Sequence, residues 1–489
     1  MQYFRKIIFY ICTAIYIVFC PLIILYALGY IYRPGPGSVV MKTGLIYLST
    51  APTGATIYLD EKELDQKTPN AIQDVLPGDH TVRIELDGYD SWREQVPVAE
   101  AKATVLDKVL LLPSQWKVES IGGGPFSKID LIPKSGSFLL VEGPAAADIA
   151  VFDLNSQKTR PLFAPGAVWS KETVERFFTT EGSTVIVSVL KAAEGKRYIW
   201  TDLKATQPAG QDITALVENV PVLMEWVAAD GTQIFTYGEG EIAKIDTSAG
   251  AVYPGFIPGA KGIGLYNSEI YAIRQNGIFL KTGEGNKTEK VLLDDPALGE
   301  TLFGDETFFI IKGVSDETMI FLGSGGALLA NKLPYRFVSE GVLGAVPGGT
   351  GEKVLLWQKK QIGILDFSTE NTGNVDFEKA PELTWVYSDG KDIKQCFWVY
   401  EGSHILFRDG QEVVLLGLSE YGTVNKSVLF KVQKESDVYY SERQGQLYYL
   451  EPSGGKLSTV RLVPEKGLLP APAKGKVKKE LEQQGKTGN

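Results

Sequence analysis

Two histidines, His80 and His404, and three cysteines, Cys12, Cys20 and Cys396, carry nearly all of the ready nucleophile, proton-shuttle and soft-metal chemistry in this 489-residue chain. They form no recognisable constellation. No HExxH, P-loop or GxSxG segment occurs, so no zinc protease, nucleotide or serine-hydrolase chemistry can be assigned. No CxxC pair or His/Cys spacing fits a zinc site, and the cysteines offer no disulfide framework. Catalytic residues, metal ligands and cofactors are therefore expected to be absent. His80 lacks a second histidine or a carboxylate cluster, so it reads as a satisfied or exposed strand histidine rather than a ligand.

Carboxylates are the remaining candidates. Asp153, Asp202, Asp246 and Asp366 recur at the ends of similar short apolar runs. Two acids at the right separation would suffice for glycoside hydrolysis, but that separation is set in three dimensions. Aspartates at equivalent strand ends are first of all turn formers. Gly122-Gly123-Gly124 and the run 323–327, GSGGA, precede no helical pattern and read as turns, not phosphate cradles. Trp169, Trp200, Trp226, Trp357, Trp385 and Trp398 sit within strand-like runs and read as core rather than as a sugar-stacking platform.

The elements that would hold these residues follow from composition and pattern. Length alone predicts two or more domains. A 44% hydrophobic and 22% charged composition is that of a folded chain. The formal net charge of −10 argues against a nucleic-acid partner. Arg5 and Lys6 precede an uncharged run from Ile7 to Tyr32. At about 1.5 Å per residue a helix of that length spans a bilayer core of roughly 30 Å. Tyrosines at both ends suit the two interfaces, and the N-terminal charges favour a cytoplasmic start, although Arg33 and Lys42 weaken the bias. The expectation is a single-pass cell-membrane anchor with the bulk of the chain outside. A cleaved signal peptide is the alternative, with Ala27 and Gly29 as the small residues. The run 33–38, RPGPGS, ends the helix as a linker.

From Gly44 to Pro113 the pattern is that of six or seven short strands. Ile57 and Leu59 alternate with Thr56, Tyr58 and Asp60, and Val82, Ile84 and Leu86 share one strand face. Leu76-Pro77-Gly78 is a turn. The segment resembles the PEGA domain, a small β module of bacterial and archaeal surface proteins. Pro52, Gly54 and Ala55 match the naming motif, with Thr53 inside it. Tyr58-Leu59-Asp60, Thr68-Pro69, Pro77-Gly78, His80, Val82 and Gly88-Tyr89 follow in family order. The resemblance implies a small sandwich outside the cytoplasm, with these residues in structural roles. Glu61 stands where the family often has Gly, and Asp65-Gln66 where a Gly commonly precedes Lys-Thr-Pro. A longer or differently shaped first turn is expected from this.

Beyond Trp116, turn–strand–turn units recur at roughly 36–50 residues, as in propeller blades. DIAVFDLNSQKT, GEIAKIDTSAG, KQIGILDFSTEN and GQLYYLEPSGG are examples. The expected fold is all-β: after the helix and the small β-sandwich comes a seven- or eight-bladed β-propeller, eight slightly preferred, resembling degenerate WD40-like or TolB-like propellers. Two stacked sandwiches are the alternative. The segment WKVESI could close the ring by pairing with the last unit. The domains read as 1–38 (tail, helix and linker), 39–114 (β module), 115–464 (propeller) and 465–489 (disordered tail).

Together these point to a non-enzymatic, membrane-anchored envelope protein. The module would be a stalk or wall-proximal contact, and the propeller a platform for an envelope protein or cell-wall glycan. The alternative is a propeller hydrolase or lyase acting on envelope polysaccharide.

Overall fold

A computed structural model describes residues 2–27, 30–32, 40–205, 210–227, 231–282, 289–294, 306–316, 318–331, 336–349, 352–368, 381–419, 421 and 425–464. The expected linker 33–38 and tail 465–489 lie outside the described residues. A helix runs over Gln2–Ala27, with Pro21 inside it. Phe9, Tyr10, Tyr16, Ile17 and Ile23 are exposed on it. Among the described residues, no helix is long and apolar enough to cross a membrane.

The small module is a sandwich of two sheets. One orders its strands Asn70–Val75, Gly44–Ala51, Ala103–Leu110; the other Lys62–Lys67, Thr56–Leu59, Gly78–Glu85, Trp92–Val98. Strand alternation turns Ile46, Leu48, Ile57, Val82, Ile84 and Val96 into one core.

The first hairpin overturns the longer of the two turns expected from the sequence. Leu59 pairs with Lys62, so its loop is the two residues Asp60 and Glu61, not a longer turn. Both adopt positive φ, 49° and 64°. Such backbone matches the twist of a two-residue hairpin but is costly for a residue with a Cβ. Local bonds hold it. The Asp60 carboxylate accepts from the Thr81 N–H at 2.9 Å, and Glu61 pairs with Arg83 at 3.2 Å and Arg93 at 3.0 Å. The departure at Asp65-Gln66 is absorbed instead by an irregularity in register between Thr56 and Tyr58.

The chain from Glu119 to Arg461 is a β-propeller. Its described strands form seven sheets, six of four strands and one of eight. Each four-stranded meander begins with an inner strand: Lys128–Leu131, Thr173–Thr179, Leu223–Trp226, Ala260–Tyr266, Phe309–Gly313, Gly344–Pro347, Ile393–Val399 and Tyr439–Ser441. The eight-stranded sheet is two meanders joined by parallel pairing of their inner strands, Gly262 with Phe309 and Ile263 with Ile310. Two glycines permit this approach. A Cβ on Gly262 would lie 2.6 Å from the Phe309 carbonyl oxygen, and one on Gly264 would overlap the Ile311 carbonyl.

The ring closes on itself. Strand Glu119–Gly122 pairs with Leu457–Arg461 as the outermost strand of the last sheet. The pairing starts at Glu119 rather than Trp116, whose ring instead packs edge-on against Phe430 at 6.3 Å. N- and C-terminal strands of the propeller thus share one sheet, which ties the ring's ends together without a covalent bond.

The strand-end aspartates make turns. Asp153 accepts from the Ser156 N–H, Asp202 from Lys204, Asp246 from Ser248 and Ala249, and Asp366 from Ser368. The GSGGA turn has a different tenant: the Glu306 carboxylate accepts from the Gly325 and Ala327 N–H groups and the Ser324 hydroxyl. Trp226 is fully buried, but Trp385, expected in the core, is exposed on an outer strand. Outer strands pack on one face only, so strand membership alone does not bury a side chain.

Candidate functional site: a cavity between module and propeller

The module is docked on the propeller rather than standing off it. Leu110 joins Val399, Leu406, Leu415 and Tyr440 in one apolar cluster, with Ala51 and Leu112 against it. The Tyr421 ring packs on the module's own core. Its hydroxyl meets the edge strand Ala103–Leu110, accepting from the Val105 N–H at 3.0 Å. Ser419 donates to Glu94, and Lys108 lies 3.9 Å from Glu401.

This docking covers part of the ring's centre and leaves a cavity of about 2590 Å³. Its walls come from the inner strands, the loops that follow them, and the module's residues 90–94 and 105–112. The volume exceeds the roughly 300–1,000 Å³ of ordinary small-molecule sites.

Four charged side chains on the cavity wall act on one another electrostatically. Glu225 is on the inner strand Leu223–Trp226 and Lys312 on Phe309–Gly313. Glu181 and Lys134, in loops after inner strands, pair with each other. The Thr180 hydroxyl, itself buried, donates to Glu225 Oε2 at 3.0 Å and accepts from the Trp226 N–H at 3.3 Å, so the backbone fixes the carboxyl. Lys312 donates to the Ala345 carbonyl at 2.8 Å.

Burial dominates the electrostatics. It pushes Glu225 up to about 7, against the Thr180 hydrogen bond and the Lys312 charge, with Glu181 adding to the rise. It holds Lys312 below the ordinary lysine value despite Glu181 and Glu225. His404, which also borders the cavity, is pushed down to about 4 by burial, and its Nδ1 lies 2.8 Å from the Ser403 hydroxyl. It is a neutral imidazole near neutral pH. Among the described residues, no group of three or more His, Cys, Asp and Glu side chains could hold a metal.

The motif residues lie elsewhere, in the module's turns and strands, and none lines the cavity. Thr68 is the centre of one group. Its hydroxyl bonds Thr50 Oγ1 at 2.6 Å and accepts from the Ala55 N–H at 3.0 Å, while its carbonyl accepts from Gly54 N–H at 2.8 Å. The Pro52–Ala55 turn is thereby pinned beside Pro69. Gly54 and Gly88 take positive φ, 88° and 79°, as their turns require. Tyr58 carries Arg83 over its ring at 3.7 Å, and Tyr89 bridges to Pro113. Gly78 opens the strand that presents His80, directly after Pro77. His80 and Asp60 form a hydrogen-bonded pair at 2.7 Å.

Sequence reasoning missed Glu225, Lys312 and Thr180. A signal was present: LMEW and IIKG are inner-strand segments in which one charge interrupts an apolar run. A charge in such a place is expensive unless it faces polar space.

Residues 43–112 match the PEGA domain. No curated protein matches the sequence. The β-propeller domain of Cps50 (Swd1) from Myceliophteria thermophila superposes with a TM-score of 0.41 and 10% identity, covering 71% of this chain and 100% of that one. Apo AztD from Citrobacter koseri gives 0.40 and 10%, over 78% and 96% of the two chains. YCF48 from Cyanidioschyzon merolae gives 0.40 and 10%, over 70% and 98%.

Proposed function

We propose that this chain is a non-enzymatic, membrane-anchored binding protein of the bacterial cell envelope, with its body outside the cytoplasm and its ligand site in the cavity between the PEGA domain and the propeller. A PEGA domain joined to a propeller fits an interaction module. The carrying observation is the cavity itself, walled jointly by the two domains. The helix ends at Ala27, short of the expected Tyr32, because Tyr30–Tyr32 is a strand paired with Val40–Lys42; its uncharged stretch 7–27 and the apolar side chains exposed on it support the anchor. In this reading the PEGA domain acts less as a free stalk than as one wall of the site.

The test compares the full chain with a blocked variant. Gly349 borders the cavity, and a Cβ added there meets nothing within 4 Å, so the backbone accepts a side chain and Gly349→Trp should fold and obstruct the space. An envelope component captured by the full chain should be lost with Gly349→Trp; equal capture by both would exclude the cavity. Protease applied to intact cells should remove the propeller, and full protection would overturn the outward orientation.

A second reading has its own observation. Glu225, held near 7 inside the cavity, has the character of a general acid, and Glu181 stands close enough to influence it. A hydrolase or lyase acting on envelope polysaccharide would release reducing ends from such material, and Glu225→Gln would abolish the release.

A further inference from the structure

Building on the cavity as the binding site, we infer that its ligand is a neutral, hydroxyl-rich saccharide chain gripped between Glu225 and Lys312.

The hydrogen-bond inventory points to this class. Glu225 uses Oε2 toward Thr180, and Oε1 has no bond among the described contacts. Lys312 directs one N–H to the Ala345 carbonyl, leaving two of an ammonium's three donors for the cavity. The cavity therefore offers an acceptor and donors that feel each other's charge. A hydroxyl is both donor and acceptor, so a run of sugar hydroxyls can satisfy the two groups together. A simple amine ligand would leave Lys312 unanswered, and a simple carboxylate or phosphate ligand would be repelled by the ionised form of Glu225.

Aromatic rings flank this pair. The Tyr266 ring lies against Gly313, next to Lys312, and the Trp357 ring against Gly344, next to Ala345. Both glycines leave room that a Cβ would occupy, so the rings sit close against the inner strands. Tyr266, Trp357 and Trp398 are all half-buried and border the cavity. Flat apolar faces beside a few placed polar groups are the usual make-up of a specific site.

Charge balance argues against a polyion. Seven lysine and arginine side chains border the same space as nine carboxylates, Lys134, Lys312 and Lys353 among the former and Glu181, Glu225 and Glu352 among the latter. With both signs interspersed, the wall has no single-sign field to concentrate a polyanion or a polycation. The volume accommodates several sugar rings rather than one.

The experiment is titration calorimetry on the detergent-solubilised full chain. The probes are chitotetraose, cellotetraose and mannotetraose, with heparin and tetralysine as charged comparators. At least one neutral oligosaccharide should bind saturably, and the charged probes should not. Lys312→Met and the isosteric Glu225→Gln should each weaken binding about tenfold or more, as expected when a buried polar contact loses its partner. Gly349→Trp should abolish it. A Glu225→Gln variant that melts like the wild type near about pH 5, where the wild-type carboxyl is neutral, keeps the result readable even where Lys312→Met fails to fold. Absence of neutral-sugar binding, binding only of a charged probe, or affinity indifferent to all three substitutions overturns the assignment. If Gly349→Trp still blocks envelope capture while no sugar binds, the saccharide class falls and the cavity reading stands. If capture is also indifferent to Gly349→Trp, both fall.

Discussion

The Tyr421 hydroxyl bonds both backbone groups of Val105, accepting from its N–H at 3.0 Å and donating to its carbonyl at 3.3 Å. Val105 lies on an edge strand of the PEGA domain, and a propeller side chain thus caps its backbone groups there. Tyr421→Phe keeps the ring in the module's core and removes only these bonds. The expected loss is about 0.5–1.5 kcal/mol, because Val105 is partly exposed and water can replace the hydroxyl. The observable is faster proteolysis between residues 113 and 119 with little change in propeller melting. Equal cleavage rates would mean that the apolar contacts of Leu110 suffice to hold the two domains.

Within the PEGA domain the Thr68 hydroxyl should matter as much as any core side chain. Thr68→Val has nearly the same shape but leaves the Ala55 N–H without the acceptor it now has. Removing one partner from a buried donor costs about 1–3 kcal/mol. Urea unfolding of the full chain followed by a module-specific probe should show this shift. A midpoint unchanged by the substitution would mean that water reaches Ala55.

Gly264→Ala should destabilise the propeller by about 1–3 kcal/mol, the usual range for overpacking. The new Cβ would press on the Ile311 carbonyl, which is backbone and cannot rotate away. Gly349→Ala is the control, since nothing lies within 4 Å of its added Cβ. Equal melting temperatures for the two variants would show that the inner strands separate readily.

These positions show where the sequence was legible. The PEGA domain could be read because its turns depend on residue types with distinct backbone demands, such as Gly54 and Gly88, and the strands between them alternate visibly. Propeller units could be read because Asp153, Asp246 and Asp366 punctuate strand ends at recurring intervals. The hairpin at Asp60-Glu61 could not, since its left-handed backbone is held by Arg83, Arg93 and Thr81, contacts that exist only once the sheet has formed. The cavity was hidden for a related reason. Glu225, Lys312 and Val105 are far apart in sequence, and only ring closure and docking bring them to one space.

Two histidines should give opposite pH responses. His80 bonds at both ring nitrogens to acceptors, Asp60 Oδ2 at 2.7 Å and the Leu76 carbonyl at 2.7 Å. Burial opposes its charge, but those bonds and the nearby Asp60 and Asp79 carboxylates hold it above the ordinary value. Its contribution is therefore full below the unfolded value of about 6.5 and lost as pH rises through the folded value. His404, lowered by burial to about 4, behaves in reverse. Its contribution is present above about 6.5 and lost as pH falls toward the folded value. Urea midpoints of His80→Gln and His404→Asn, measured from about pH 5 to about pH 8.5, should approach wild type at opposite ends of that range. The His80→Gln deficit should shrink at high pH and the His404→Asn deficit at low pH. Parallel curves would mean that neither ring changes its proton affinity on folding.

Glu225 should reveal itself by a penalty. Burial raises its carboxyl to about 7, while the Thr180 hydroxyl and Lys312 oppose the rise and Glu181 supports it. An unfolded glutamate releases its proton near about 4.3. Between that value and about 7 the unfolded chain binds fewer protons at this site, so stability falls as pH rises through the window. Glu225→Gln removes the titration and keeps the shape. Near pH 5, where the wild-type carboxyl is neutral, the two proteins should be close in stability. Above about pH 7.5 the variant should be the more stable, because the wild type must then hold a buried carboxylate. A bound neutral saccharide donating a hydroxyl to Oε1 would favour the ionised form, so binding should tighten as pH rises through about 7 and release a proton. Calorimetry in two buffers of different ionisation enthalpy measures that proton directly, and its persistence in Glu225→Gln would assign it to another group, Lys312 first among those bordering the cavity.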